Sequence, residues 1–516
     1  MTLDARLAEA LARLPDYLGS HVLVSITALA LGLGLSLPVA IASRRRPLLR
    51  AGLLAAASIV QTIPGLALLA LFYPLLLALA AASERAFGTG FSALGFLPSV
   101  LALALYSMLP VLRNTVTGLD GVDPRLRDAA RVIGMTPGQS LREIELPLAM
   151  PVIMAGIRTA AVWVIGTATL ATPIGQESLG NYIFTGLQTQ NWVFVAFGCV
   201  AAAVLALAVD QLLALMQAGL SRQHRAHIAL GALGLIALTL GALLPGLTRP
   251  QATYVIGAKT FTEQYLLAAL IKQRLEAAGL TASRRQGLGS NVLFDALATN
   301  EVDVAVDYSG TIWANRMARS DVPARGAALD EISRWLQATH GIRMLGGLGF
   351  ENAYALAMAR KKAQALGITS IADLARHSAA LTIAGDYEFF ARPEWAAIQK
   401  TYGLAFRAQR QMQPEFMVKA VADGEVDVIS AYTSDGQLAR YDLLVLDDPR
   451  HAIPPYDAIL LLSPRRADDD KLIAALKPLI GAIPVALIRA ANARAAGGDT
   501  SAEEAARWLG EQLKAK

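Results

Sequence analysis

The 516 residues are 54% hydrophobic and only 17% charged, with a mean hydropathy of +0.43. That is more than one ordinary domain, and the apolar excess excludes a single soluble enzyme, in which about a quarter of residues are charged. The net charge of +5 comes without a basic stripe interleaved with aromatic residues, so nucleic acid is excluded as a partner.

The apolar excess lies in the first half. A bilayer core takes roughly 20 apolar residues as helix, and six runs qualify: 20–42, 52–82, 92–112, 149–172, 192–219 and 228–246. The second is long and holds Pro64 and Pro74, so it is expected to be kinked or re-entrant. Residues 1–16 are mixed and amphipathic, not a cleavable signal peptide, so export of the second half is expected to rely on a retained transmembrane helix. Arginines gather after run one (Arg44, Arg45, Arg46, Arg50), between runs three and four (Arg113, Arg125, Arg127, Arg131, Arg142) and between runs five and six (Arg222, Arg225). Basic loops stay in the cytoplasm, which puts everything after Pro245 outside. The one cysteine, Cys199, lies inside an apolar run, so no disulfide forms within the chain.

Between runs three and four the chain reads Asp128-Ala-Ala-Arg-Val-Ile-Gly134, then Ile144-Glu-Leu-Pro147. Two small residues let another surface approach, the glycine permits a sharp turn and the proline starts the next span. The stretch resembles the coupling motif of ABC importer permeases, with Asp128 where Glu is usual. The resemblance implies that Asp128, Ala129, Ala130 and Gly134 seat a short helix in a groove of an ATP-hydrolysing subunit. Gln61-Thr-Ile-Pro64, Leu112-Arg-Asn-Thr115 and Gly166-Thr-Ala-Thr-Leu170 are similar to permeases of the betaine, choline and carnitine uptake group, although Gln176-Glu-Ser178 stands where that group has a glycine pair. No Gly-x-x-x-x-Gly-Lys-Ser/Thr cradle for phosphate occurs. The chain is therefore not expected to be an enzyme or to hold a cofactor, and ATP is expected to be used by a separate ABC ATPase subunit.

After a short linker at 247–252, strands and helices alternate. Strands are expected at 253–257, 301–306, 352–359, 381–383, 426–429, 443–446 and 458–462, with helices at 263–278, 327–340, 371–375, 392–402, 468–480 and 501–514. About 260 residues suffice for two lobes with a cleft. Six segments in this half are Ile256-Gly-Ala-Lys-Thr-Phe-Thr-Glu-Gln264, Gly287-Leu-Gly289, Val306-Asp-Tyr-Ser-Gly-Thr311, Leu348-Gly-Phe-Glu-Asn-Ala-Tyr-Ala-Leu356, Asp427-Val-Ile-Ser-Ala-Tyr-Thr-Ser-Asp435 and Pro454-Pro-Tyr-Asp457. They resemble solute-binding proteins for glycine betaine, choline and related compounds. A trimethylammonium group has a full charge and no N–H, so a site for it must use aromatic faces, each worth about 0.5–2 kcal/mol. The resemblance implies that Tyr308, Tyr354, Tyr432 and Tyr456 form that cage, that Lys259, Thr311 and Arg392 hold a solute carboxylate, and that Asn352 and Gln264 line the pocket.

His224 and His227 are close but lack Cys or acidic neighbours, and the other histidines show no ligand spacing, so no metal is expected. The expected architecture is an all-α polytopic membrane domain like a type I ABC importer permease, followed by an α/β two-lobed periplasmic-binding-protein-like domain. The boundaries are 1–226 for the permease, 227–250 for the last transmembrane helix and linker, and 251–516 for an extracytoplasmic solute-binding domain. The expected function is import of a quaternary-ammonium compatible solute such as glycine betaine across a bacterial inner membrane, by a permease homodimer embedded in lipid. Ergothioneine, choline or carnitine is the alternative solute, and a membrane-anchored solute sensor the alternative role.

Overall fold

A computed structural model describes residues 3–44, 46–87, 91–188, 191–248, 253–319, 321, 325–496 and 500–514. The chain divides into two compact units, a helical one spanning 3–184 and 193–250 and a second holding 251–516. Most of the expected linker lies outside the described residues.

The helical unit runs α1 (Leu3–Ser43), α2 (Pro47–Thr62), α3 (Gly65–Phe87), α4 (Phe96–Asp120), α5 (Pro124–Val132), α6 (Pro137–Ser140), α7 (Leu146–Ala168), α8 (Gly180–Gln188), α9 (Trp192–Ser221) and α10 (Arg225–Thr248). Six helical segments are long and apolar enough to cross a membrane: Arg6–Ser43, Gly65–Phe87, Phe96–Asp120, Pro137–Ile174, Trp192–Ser221 and Arg225–Leu244. This is a multi-pass membrane protein. The long second run is not one kinked helix. It breaks at Ile63, which is extended with φ −72° and ψ 128°, because the adjoining Pro64 disfavours helical backbone in the residue before it. Pro74, by contrast, stays inside α3.

Helices α1, α4 and α7 pack around a buried seam of Val24, Ala28, Val100, Leu103, Val164 and Ala168. His21, fully buried on α1, joins two other elements. Its Nε2 lies 3.0 Å from the Ile165 carbonyl, and its Nδ1 accepts the Leu179 N–H at 3.3 Å. With Nδ1 an acceptor, Nε2 carries the proton and the ring is neutral. Between α7 and α9, Arg158 forms a fork with both oxygens of Asp210 at 2.8 Å. Charge inside a span is tolerated when paired in this way.

The second unit holds two five-stranded sheets. The strands are β1 (Tyr254–Lys259), β2 (Ala282–Leu288), β3 (Val304–Tyr308), β4 (Arg343–Glu351), β5 (Tyr354–Ala359), β6 (Thr382–Gly385), β7 (Ala408–Gln411), β8 (Val428–Tyr432), β9 (Leu443–Val445) and β10 (Asp457–Leu462). The first sheet has order β2-β1-β3-β10-β4 and the second β7-β6-β8-β5-β9. In the first, β1 runs parallel to β2 and β3, and in the second β6 runs parallel to β7 and β8. Each sheet with its helices makes a lobe. The chain crosses from first to second lobe between β4 and β5 and returns before β10. There the Asn352 N–H bonds the Tyr456 carbonyl at 2.9 Å, tying the two crossovers together. Helix α11 (Thr262–Ala277) and helix Ala502–Lys514 pack on each other in the first lobe.

Candidate solute-binding site

Parallel strands deliver their carboxyl ends, and the loops beyond them, to one edge of a sheet, where ligands bind in open α/β folds. Lys259 ends β1, Tyr308 ends β3 and Tyr432 ends β8, so both lobes present such ends to the cleft. A cavity of about 330 Å³ lies there.

Lys259, Thr311, Asn352, Arg392 and the four tyrosines Tyr308, Tyr354, Tyr432 and Tyr456 all line this cavity. Tyr354 and Tyr432 sit opposite each other in the antiparallel β5–β8 ladder, so their rings rise from one face, with centroids 4.9 Å apart. Tyr456, from the return crossover, meets Tyr354 edge to face at 5.6 Å, and its hydroxyl donates to the Glu394 carboxylate. Burial and that carboxylate push the Tyr456 hydroxyl well above its ordinary pKa.

Gln264 does not line the cavity. It stands behind the wall, donating to the Val306 carbonyl at 3.1 Å and to the Tyr308 hydroxyl at 3.0 Å. A single step along the helix separates lining from support: Glu263 reaches the cavity and Gln264 faces the sheet. The cations also differ from the simple expectation. Lys259 Nζ is bound to Asp307 Oδ1 at 2.6 Å and lies 5.3 Å from the Tyr308 ring centroid. The Arg392 guanidinium lies 5.2 Å from the Tyr354 centroid. Two of the four tyrosines thus already have a protein cation over a face. Arg392 is not helical but joins the helices Tyr387–Ala391 and Pro393–Tyr402 with φ −84° and ψ 149°, and that turn aims it inward.

Four groups were not singled out from the sequence. Phe261 links the lobes, 6.1 Å from Tyr308 and 6.3 Å from Tyr432, nearly parallel to the latter. Glu263 is buried in the first turn of α11, and its Oε1 accepts from the Tyr308 hydroxyl at 2.6 Å and Asn352 Nδ2 at 3.1 Å. Asp386 comes after β6 and caps the next helix by accepting the Phe389 N–H at 2.6 Å. Asn492 comes from the helix Val485–Ala496. Phe261 and Glu263 stood inside a matched segment, whereas nothing in the sequence marks Asn492. Burial raises the pKa of both Glu263 and Asp435, a further lining carboxylate, above the usual carboxylate value. Among the described residues no group of acidic, His and Cys side chains could hold a metal ion.

In the helical unit, α5 carries the motif residues. Asp123 caps it, accepting the Arg125 N–H at 2.9 Å. Ala130 is buried against the unit, while Asp128 and Ala129 are exposed. Gly134 turns the chain with φ +83° and no neighbour near its Cβ position, a backbone state that a glycine enters without strain. Val132 and Ile133, within the motif, are 87% and 72% exposed, an apolar tip just before the Gly134 turn. A π-turn, Leu141–Glu145, leads into α7.

An apolar helical unit carrying such a loop between two of its spans, joined to a two-lobed unit with an aromatic cleft, defines a solute importer subunit that carries its own receptor. Residues 252–511 match the model of the substrate-binding domain of ABC-type glycine betaine transport systems, and residues 32–224 that of inner membrane components of binding-protein-dependent transport systems. The chain belongs to this family, as a permease fused to a substrate-binding domain. It is 27% identical over 430 residues to the ergothioneine transport permease/ergothioneine binding protein of Helicobacter pylori (strain G27), covering 80% of this chain and 74% of that one. It is 39% identical over 197 residues to a choline transport system permease protein of Bacillus subtilis (strain 168), covering 38% of this chain and 83% of that one. A solved glycine betaine/carnitine/choline ABC transporter structure aligns with 51% of this chain and 98% of its own, at 22% identity and a TM-score of 0.46.

Proposed function

We propose that the chain imports a quaternary-ammonium solute carrying a carboxylate, glycine betaine or a larger betaine, into a bacterial cell. The solute-binding unit faces outward, two copies of the permease unit form the pathway, and a separate ABC ATPase docks on α5 and supplies the energy. The observation that carries the reading is the cross-strand pair Tyr354–Tyr432 with Tyr456 at right angles: three ring faces converge beside two cations, Lys259 and Arg392. Rings suit a methylated cation, and the guanidinium fork suits a carboxylate.

A second reading concerns which betaine. Besides the cations, Glu263, Asp386 and Asp435 line a cavity of about 330 Å³. Each of these carboxylates already accepts a bond from within the protein, and glycine betaine has no N–H to add to them. Ergothioneine, a betaine with an imidazole-derived ring, has ring N–H groups and more bulk. The name of the Helicobacter pylori relative points the same way.

Titration calorimetry of the full chain in detergent with glycine betaine, choline, carnitine and ergothioneine separates these readings. At least one binds, and Tyr354→Ala weakens it by about 2- to 30-fold, the worth of one cation–π contact. Failure of all four to bind, or a Tyr354→Ala protein with unchanged affinity, sinks the proposal.

A further inference from the structure

Helix Val485–Ala496 comes after β10 and packs on α11, β4 and helix Ala502–Lys514 in the first lobe, and also on the short helix Gln437–Arg440 of the second. Residues 433–436 come directly after β8, in the second. Yet the two segments are joined. Arg489 Nε donates to the Thr433 carbonyl at 2.6 Å. Asn492 Nδ2 donates both to the Ser434 carbonyl at 2.9 Å and to Glu263 Oε2 at 2.7 Å. Gly436 comes so near that a Cβ there would stand 2.2 Å from the Ala493 nitrogen, an approach open only to a residue without a side chain.

We propose that Asn492 is a latch that holds the two lobes closed and reports to the solute cavity through Glu263. An amide NH₂ has two donors. Here one reaches the backbone of the far lobe and the other a carboxylate that lines the cavity. Glu263 is in turn bound through its other oxygen to Tyr308 and Asn352, a ring of the wall and a residue of the crossover. The carboxylate therefore has its place fixed by both crossover and latch, and any solute that leans on it or on Tyr308 leans on the latch. Opening parts the amide from the Ser434 carbonyl, while its bond to Glu263 stays within the first lobe. Arg489, which is exposed, adds a second bond between the same two segments.

The inference rests on the solute-binding reading for its effect on solute release, but its effect on lobe separation does not. In full-length protein carrying Cys199→Ser, spin labels attached through Glu276→Cys on the first lobe and Lys361→Cys on the second report the separation of the lobes. Asn492→Ala, and independently Arg489→Ala at an exposed position, shift the distance distribution to longer values without solute. For whichever of glycine betaine, choline, carnitine and ergothioneine binds, Asn492→Ala speeds dissociation by roughly 2- to 10-fold, the net worth of a hydrogen bond. Arg489→Ala, at an exposed position outside the cavity lining, leaves the melting temperature near that of the parent. Unchanged separation in both variants, or unchanged release despite wider separation, overturns the latch. A parent protein that binds none of the four overturns the solute reading instead, and the separation measurement still decides the latch.

Discussion

At the scale of single residues, Glu263 sets the behaviour of the cavity. Its pKa is raised by burial, against the pull of donors from Ser434, Tyr308, Asn492 and Asn352. The folded protein thus takes up a proton at a pH where an exposed carboxylate is still ionised. For stability, this contribution is fully present below the ordinary glutamate value and is lost as pH rises through the raised one. For solute the sign is opposite. A methylated cation prefers the ionised form, so affinity falls on acidification, beginning above the usual carboxylate range, and binding there expels a proton. Calorimetry in buffers of different ionisation enthalpy measures that release, and Glu263→Gln removes it. A buffer-independent heat in the parent protein contradicts the assignment. The tyrosines were legible because each stands in a distinctive short segment, and Tyr354 and Tyr432 because strand register forces them together. Gln264, expected in the lining, faces the sheet while Glu263 reaches the cavity, because adjacent residues on a helix point about 100° apart, a rotation that a string of letters does not reveal. Asn492 was illegible because its meaning comes from a partner 229 positions away.

At the scale of elements, three strands escaped sequence reading: β2, β4 and β7. All three are sheet edges. Edge strands bury less and carry charge or glycine, as Ala282–Leu288 with its two arginines and Arg343–Glu351 with its three glycines do. The interior strands β3 and β10 are buried at every position and announced themselves as apolar runs. In the helical unit the break at Ile63 separates a 16-residue α2 from a 23-residue α3. Only α3 has the length for a bilayer, which leaves the three arginine-bearing loops on a common side. One of them is knitted by Glu145, at the junction of the π-turn and α7. It lies 3.4 Å from Arg44 beyond α1, 3.4 Å from Arg127 on α5 and 3.4 Å from Ser140 in α6. Glu145→Gln leaves two arginines without their shared partner. The guanidinium groups are part-exposed, so about 1–2 kcal/mol of stability is lost instead of the full penalty of a buried pair. The larger effect falls on coupling: in liposomes reconstituted with the ATPase, solute moved per ATP hydrolysed drops several-fold. An unchanged ratio shows that Glu145 only braces the loop.

At the scale of the whole molecule, the pattern of arginines predicts which side each part occupies. With Cys199→Ser as background, Glu276→Cys in the second unit reacts with a membrane-impermeant maleimide added to intact cells. Asp128→Cys on α5 reacts only after the membrane is opened. The reverse pattern refutes import. Residence of receptor and permease on one chain holds the two at a local concentration in the ~mM range for a short connection, so capture of solute does not wait for a diffusing carrier. The division into an apolar helical half and a water-facing half was readable from hydropathy, since burial in lipid and burial in a small core leave different lengths of apolar run, and the α/β lobes from the alternation of strands and helices.

Both ends of the two-lobed unit belong to its first lobe: β1 opens it, and the closing helix Ala502–Lys514 rests on α11. The second lobe is therefore an insertion hung from two strands of chain, one near Asn352 and one just before Tyr456. Whatever swing it makes over a solute, the piece that travels is not the piece that holds both ends of the unit. Selectivity written into residues 353–455 can be exchanged between relatives as a cassette, with the mooring untouched.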